Sequence, residues 1–262
     1  MSKLPKEQKF LDLSDYGRPI AKLIARSLQN THFTPIHVTI SFVVSGLIAL
    51  FFIIQGVYWA AGFFLVLKSI LDAADGELAR VKNTPSYTGR FLDSISDIIL
   101  NLLLFITISW ISETHIVIAI LAFMCMQLQG TLYNYYYAIL RSQMHGDTTS
   151  RIFETKIPTA LPGERQNHVT FMYKLYRVLY GGFDKIIYTL DYSASSGKQI
   201  PNGLMTILSI FGLGFQLLLI SLLLIAGLKS YVAPIIIALT ALLPLFIFFR
   251  KFSSKELSFA NR

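Results

Sequence analysis

Runs of about twenty apolar residues recur along this chain, and no other feature limits its fold so sharply. They cover 35–55, 57 into an acidic stretch near 72, 89 to about 112, 115–141, 203–227 and 231–250. Soluble domains place apolar residues in amphipathic patterns, not in blocks of this length. A chain that buries such blocks in a bilayer must satisfy every backbone polar group internally, which selects helices. A membrane β-barrel would need short alternating segments, and these are missing from the sequence. Composition agrees, with 53% hydrophobic residues, 15% charged residues and a mean hydropathy of +0.55. The expectation is an all-α polytopic membrane protein with six transmembrane helices, an N-terminal interfacial helix and a cytosolic-side insertion between transmembrane helices 4 and 5.

The chain divides into four segments on this reading. Residues 1–34 form an amphipathic interfacial segment, with Phe10, Leu11, Leu13, Ile20, Leu23, Ile24 and Leu28 near helical spacing and a break near Gly17–Pro19. Residues 35–141 hold transmembrane helices 1–4, and 201–262 hold helices 5–6 with a basic tail. Between them, 142–200 is too long for a simple loop. Within it, 168–190 places Phe171, Leu175, Val178, Leu179, Phe183, Ile186, Ile187 and Leu190 on one helical face, which predicts a second interfacial helix, bent at Gly181-Gly182. The first 30 residues lack an apolar leader core, so no cleavable signal is expected. The single cysteine, Cys125, excludes an intrachain disulfide and reads as a buried apolar residue.

The formal net charge is +8, without a soluble basic domain that could take nucleic acid. Its distribution is more telling. Lys3, Lys6, Lys9, Arg18, Lys22, Arg26, Arg80, Lys82, Arg90, Arg141, Arg151, Lys156, Arg165, Lys174, Arg177, Lys185, Lys198, Arg250, Lys251, Lys255 and Arg262 all fall on one side if six spans alternate, and Lys229 alone on the other. Basic residues collect on the cytosolic side, so both termini and the acidic stretch are expected there.

That acidic stretch, 72–97, reads DAADGELARVKNTPSYTGRFLDSISD. Carboxylates this close to the bilayer are costly unless a cation holds them. On a helix, Asp72, Asp75, Gly76 and Ala79 form one stripe, and Gly89, Asp93 and Asp97 form another. Pro85 and Ser86 suit a turn between antiparallel helices, so the stripes can face each other. Four hard carboxylates suit Mg²⁺ or Mn²⁺, ions that bridge phosphate oxygens. Small residues at 76, 79 and 89 leave room for a diphosphate or a flat base, and Arg80 can pair with a phosphate. Interhelical ion pairing or helix capping is the structural alternative.

The pattern D-x2-D-G-x2-A-R-x8-G-x3-D-x3-D is complete here, and it resembles the CDP-alcohol phosphotransferase family, integral membrane enzymes of phospholipid synthesis. The resemblance implies that Asp72, Asp75, Asp93 and Asp97 bind two Mg²⁺ or Mn²⁺ ions and that Asp97 is the base that accepts the proton of the acceptor hydroxyl. Asp72, Gly76, Ala79, Arg80 and Gly89 would line the CDP site, with Arg80 on the diphosphate. It also implies a homodimer. In the first span Thr34-Pro35 and Thr39 fit the family pattern, whereas Ile36-His37 stand where Asn is usual. A lone His at a helix start reads as a structural residue.

Other polar residues are candidates for acceptor or headgroup contacts: Lys68, one turn before Asp72; Asn101, continuing the Asp93–Asp97 stripe; and Gln127, Asn134 and Arg141, spaced by seven. Tyr133, Tyr135, Tyr136 and Tyr137 read as an interfacial aromatic belt. The activity expected is transfer of a phosphatidyl group from a CDP-linked donor, with CDP-diacylglycerol favoured, to a small polar alcohol with release of CMP. A CDP-amino-alcohol donor with diacylglycerol as acceptor is the alternative within the family. A membrane prenyltransferase would need a second aspartate-rich motif, and none lies near Asp184 or Asp191. A non-catalytic transporter would leave the acids without a role.

Overall fold

The computed structural model describes residues 10–143, 156–196 and 200–260. Expectations for Lys3, Lys6, Lys9, Arg151, Lys198 and Arg262 lie outside the described residues. No strand occurs among the described residues, and the helices are α1 (Arg18–Leu28), α2 (Pro35–Ile54), α3 (Tyr58–Val81), α4 (Tyr87–Ile111), α5 (Ile116–Gln143), α6 (Gln166–Leu190), α7 (Asn202–Leu208), α8 (Leu213–Ile225), α9 (Val232–Leu239) and α10 (Leu242–Ala260).

Among the described residues, four helical stretches are long and apolar enough to cross a membrane: Pro35–Ile54, Tyr87–Ile111, Ile116–Ser142 and Lys229–Phe252. A fifth arises if α7 and α8, bent by 48°, are one broken span. The bend has a cause in packing. A Cβ on Gly212 would lie 2.3 Å from Ser14 Oγ, and one on Gly214 would lie 2.0 Å from the Ser14 carbonyl oxygen. The N-terminal segment therefore seats in a glycine notch, and Leu13 N–H donates to Ser209 Oγ at 2.9 Å beside it. The helix α3 is 24 residues long, but from Lys68 onward it carries Lys68, Asp72, Asp75, Glu77 and Arg80, so it does not reach the apolar standard of the others.

Around the acids, α2 is central. Its backbone runs close to both α3 and α4, while α3 and α4 meet through side chains, Lys68 with Asp97 and the acids around Asp93. Small residues allow the close approaches: a Cβ on Gly46 of α2 would lie 2.9 Å from Leu100 Cδ1 of α4. On the far side of α3, Gly62 admits Ile225 of α8, its ideal Cβ lying 2.8 Å from Ile225 Cδ1. The largest core cluster joins Ala49, Leu65, Phe105, Met126, Leu217 and Ile236 from six helices. Gln129 fastens the C-terminal helices to α5. Its Nε2 donates to Ile236 O at 2.8 Å and Thr240 Oγ1 at 2.7 Å, while its Oε1 accepts from Gln216 at 2.8 Å.

Two sequence expectations change. First, α6 runs unbroken through Gly181-Gly182, and its apolar residues do not share one face. Val169, Tyr173, Phe183 and Ile187 are buried against α4 and α5, whereas Phe171, Val178 and Ile186 are exposed. The helix is apolar on two sides, so a single-face reading merged an inner and an outer stripe. Second, Tyr133, Tyr135 and Tyr136 are not an outward belt. They are buried, and their hydroxyls donate to Asp12 Oδ2 at 2.5 Å, the Asp191 carbonyl at 3.1 Å and Asp191 Oδ2 at 2.5 Å. A buried tyrosine needs a partner for its hydroxyl, and acidic residues elsewhere in the chain supply it.

Candidate active site

The turn between α3 and α4 sets the two acid-bearing helix ends side by side. Helix α3 closes with Asn83 in the left-handed region at φ 52°. Asn83 N–H donates to Arg80 O at 3.3 Å and Thr84 N–H to Ala79 O at 3.0 Å, which satisfies the last carbonyls of the helix. Three residues later Ser86 caps α4, its Oγ accepting from Gly89 N–H at 2.8 Å. Glu164 reinforces this cap from the segment before α6. It accepts from Ser86 Oγ at 2.8 Å, Thr88 N–H at 2.7 Å, Tyr87 N–H at 3.2 Å and Leu161 N–H at 3.1 Å. Burial alone would raise the Glu164 carboxyl, but these donors outweigh it and hold the group below its ordinary range.

Three of the four predicted acids converge. Asp72, Asp75 and Asp93 each offer an oxygen, and these oxygens lie within 4.8 Å of one another. Asp93 Oδ1 is buried with no hydrogen-bond partner among the described residues. An orphaned carboxylate oxygen beside two more carboxylates fits a hard divalent cation, since such a group is costly without one. Asp75 is fixed from α2, accepting from Thr39 Oγ1 at 2.7 Å. Asp97 stands apart from the group of three. Its Oδ1 accepts from the Lys68 ammonium, which is 1% exposed and also lies 5.1 Å from the Phe42 ring centroid.

On the other side of the acids, Glu77 gathers two arginines. Its Oε1 is 2.7 Å from Arg18 Nη1 and 3.1 Å from Arg80 Nη2. Arg18 also reaches Asp15 Oδ2 at 2.6 Å, and although burial opposes its charge, the two carboxylates raise its pKa further. Arg80 Nε is buried without a hydrogen-bond partner among the described residues. A Cβ on Gly76 would lie 3.6 Å from Arg80 Nη1, in ordinary contact, so the guanidinium folds back over the glycine one turn before it. Gly89 is tighter, its ideal Cβ 3.2 Å from Ser86 Oγ. A guanidinium with an unused buried donor beside a glycine of its own helix suits a phosphate oxygen.

The helix α6 closes the outer flank. Phe91 of α4 lies 5.9 Å from Tyr173 and 5.2 Å from Tyr176, centroid to centroid. Tyr176 stacks on Tyr180 at 5.0 Å, and Tyr180 OH donates to the Ser94 carbonyl at 3.0 Å. The charges of Asp93 and Asp97 act on Tyr180. Part of the segment 142–200 is thus a wall of the acid site.

The remaining candidates scatter. Arg141 feels the charges of Arg80, Arg90 and Arg18, which puts it at the basic rim. Asn101 and Gln127 are buried, at 4% and 6% exposure, but Asn134 is exposed, so the seven-residue spacing does not line one pocket. His37 caps α2, its Nδ1 accepting from Thr34 N–H at 3.0 Å. Glu77, Glu164, Tyr180 and Arg18 were not singled out from the sequence as parts of this site. Only Glu77 carried a signal, its position three residues before Arg80.

Comparison with protein-family models matches residues 33–177 to the CDP-alcohol phosphatidyltransferase family. The match takes in α2 to α5 and the first half of α6. Comparisons with curated proteins and with solved structures find no match. A family match over more than half of the 262 residues, centred on the acids, settles the relationship: this chain belongs to the CDP-alcohol phosphatidyltransferase family.

Proposed function

We propose that the protein transfers a phosphatidyl group from CDP-diacylglycerol to a small polar alcohol and releases CMP. The observation that carries this reading is the convergence of Asp72, Asp75 and Asp93 beside Arg80 and Gly76, inside the segment that matches the family. Asp72, Asp75 and Asp93 would hold the divalent ion, Mg²⁺ or Mn²⁺. When bound, it neutralises charge on the diphosphate and on the departing CMP. Arg80 binds a phosphate oxygen, while Asp72, Gly76, Ala79 and Gly89 line the cytidine diphosphate. Asp97 accepts the proton of the acceptor hydroxyl, and that oxygen attacks the phosphorus bearing the diacylglycerol group. The bond from that phosphorus to the CMP oxygen breaks, and CMP leaves. The tyrosines of α6 limit access of water from the flank they cover.

On this reading six helical segments span the bilayer, α3 counted among them because its charged half reaches the interface. Residues 10–34 and the outer face of α6 lie against lipid. Ile20 and Leu23 are exposed on α1, while Ala21 and Ala25 pack inward, which supports an apolar face turned to the membrane. Residues 35–141 carry the site, the described residues of the 142–200 segment flank it and the helices from α7 onward complete the bundle. The one-sided distribution of basic residues supports a cytosolic side for the site and both termini, and the working unit in this reading is a homodimer.

The test is CMP release by purified protein in detergent or lipid, with Mg²⁺ or Mn²⁺. CDP-diacylglycerol is supplied with glycerol phosphate, inositol phosphate, inositol or serine in turn. A second arm supplies CDP-choline or CDP-ethanolamine with diacylglycerol. The reading expects alcohol-dependent CMP release in the first arm. Release confined to the second arm reverses donor and acceptor, and no release in either arm rejects it.

A further inference from the structure

Four acids are close in sequence, yet the structure groups three. Asp97 lies one helical turn from Asp93, but its carboxylate is bonded to the ammonium of Lys68. That lysine is held by three helices. It projects from α3 one turn before Asp72, meets Asp97 on α4 and lies over the Phe42 ring of α2. At 1% exposure it has no solvent to retreat to. The charges of Asp72 and Asp93 act on it as well, so it belongs to the acid site electrostatically.

We propose that Lys68 is a tethered cation that occupies the Asp97 side of the site, so that the protein without substrate binds one divalent ion, between Asp72, Asp75 and Asp93. This rests on reading those three acids as the metal site. The lysine is a positioning residue: it holds the Asp97 carboxylate toward the gap between α3 and α4 and keeps it from joining the other ligands. Four carboxylates and one ammonium leave the charge of three carboxylates, which a single divalent ion nearly balances. A second ion would crowd a buried cation, and it gains enough oxygen ligands only from a bound diphosphate. Remove the ammonium, and Asp97 becomes a buried carboxylate with no cation beside it.

The test is Mn²⁺ binding to the full chain in detergent, followed by the loss of the free-ion spin-resonance signal, without nucleotide or lipid. Wild-type protein is expected to take up about one Mn²⁺ per chain, and Lys68→Met about two. Lys68→Arg keeps the charge and is expected to return to the wild-type count. Lys68→Met combined with Asp97→Asn removes the ligand set free and is expected to do the same. Equal counts in wild type and Lys68→Met overturn the inference, as does a wild-type count of two. No Mn²⁺ bound by any variant, including folded wild type, overturns the metal site beneath it. If Lys68→Met does not stay monodisperse, Lys68→Gln serves as the neutral variant under the same criteria.

Discussion

Thr39 Oγ1 donates to Asp75 Oδ2 at 2.7 Å, so α2 aims a carboxylate of α3. A hydrogen bond to a charged group contributes about 1.5–3 kcal/mol. Thr39→Val keeps the shape and removes the donor. CMP release is expected to fall about tenfold or more, with weaker Mn²⁺ binding, and Thr39→Ser is expected to restore both. Wild-type rates in the valine variant would mean that Asp75 needs no such support.

Glu77 holds Arg80 over Gly76, and Arg18 braces Glu77. Glu77→Gln keeps the size but weakens both ion pairs. We expect KM for the CDP donor to rise about tenfold while kcat changes less, because the guanidinium loses its fixed direction without leaving the site. Steady-state kinetics with varied donor read this out. An unchanged KM would remove Arg80 from donor binding or Glu77 from its control.

Acid should loosen the cap on α4. The Glu164 carboxyl lies below its ordinary value of 4.5. A carboxylate lowered in the folded state stabilises the protein above its unfolded value, and that contribution is lost as pH falls through the folded value. Thermal unfolding of wild type and Glu164→Gln should therefore differ at pH 6, and the difference should shrink as pH falls below 4.5. Partial exposure keeps the difference at or below about 1 kcal/mol. A constant difference across this range would show that the cap does not depend on the charge.

Much of the site was legible because its chemistry is local. Asp72, Asp75, Gly76, Ala79 and Arg80 lie within nine positions, and helical spacing alone puts them near one another. The turn was legible too, since Pro85 and Ser86 announce it. What stayed hidden depends on contacts between distant segments. Nothing around Glu164 shows that it caps α4, 78 residues away from Ser86. The two apolar stripes of α6 look like one until α4 and α5 choose between them. The tyrosines of α5 have an interfacial composition, but Asp12 and Asp191 decide their place. Lys68 was visible as a charge near the acids, and only the packing of α2, α3 and α4 shows that Asp97 is its partner.

A second buried pair lies away from the site. The Arg250 guanidinium contacts the Asp191 carboxylate, and these residues are 1% and 0% exposed. The same Asp191 also takes Tyr136 OH at 2.5 Å. Arg250→Met would strand a buried carboxylate, at a cost of about 3–5 kcal/mol. The unfolding midpoint in detergent is expected to drop on the order of 10 °C. Adding Asp191→Asn should recover part of the loss, and a midpoint unmoved by Arg250→Met would contradict a structural role for the pair.

The central claim is that Asp72, Asp75, Asp93 and Asp97 form the catalytic centre, with Asp97 as the base. The most direct measurement is CMP release by Asp97→Asn alongside CDP binding by the same preparation. Release is expected to fall by about a thousandfold or more with CDP affinity within a few-fold of wild type. A variant that releases CMP at the wild-type rate would contradict it.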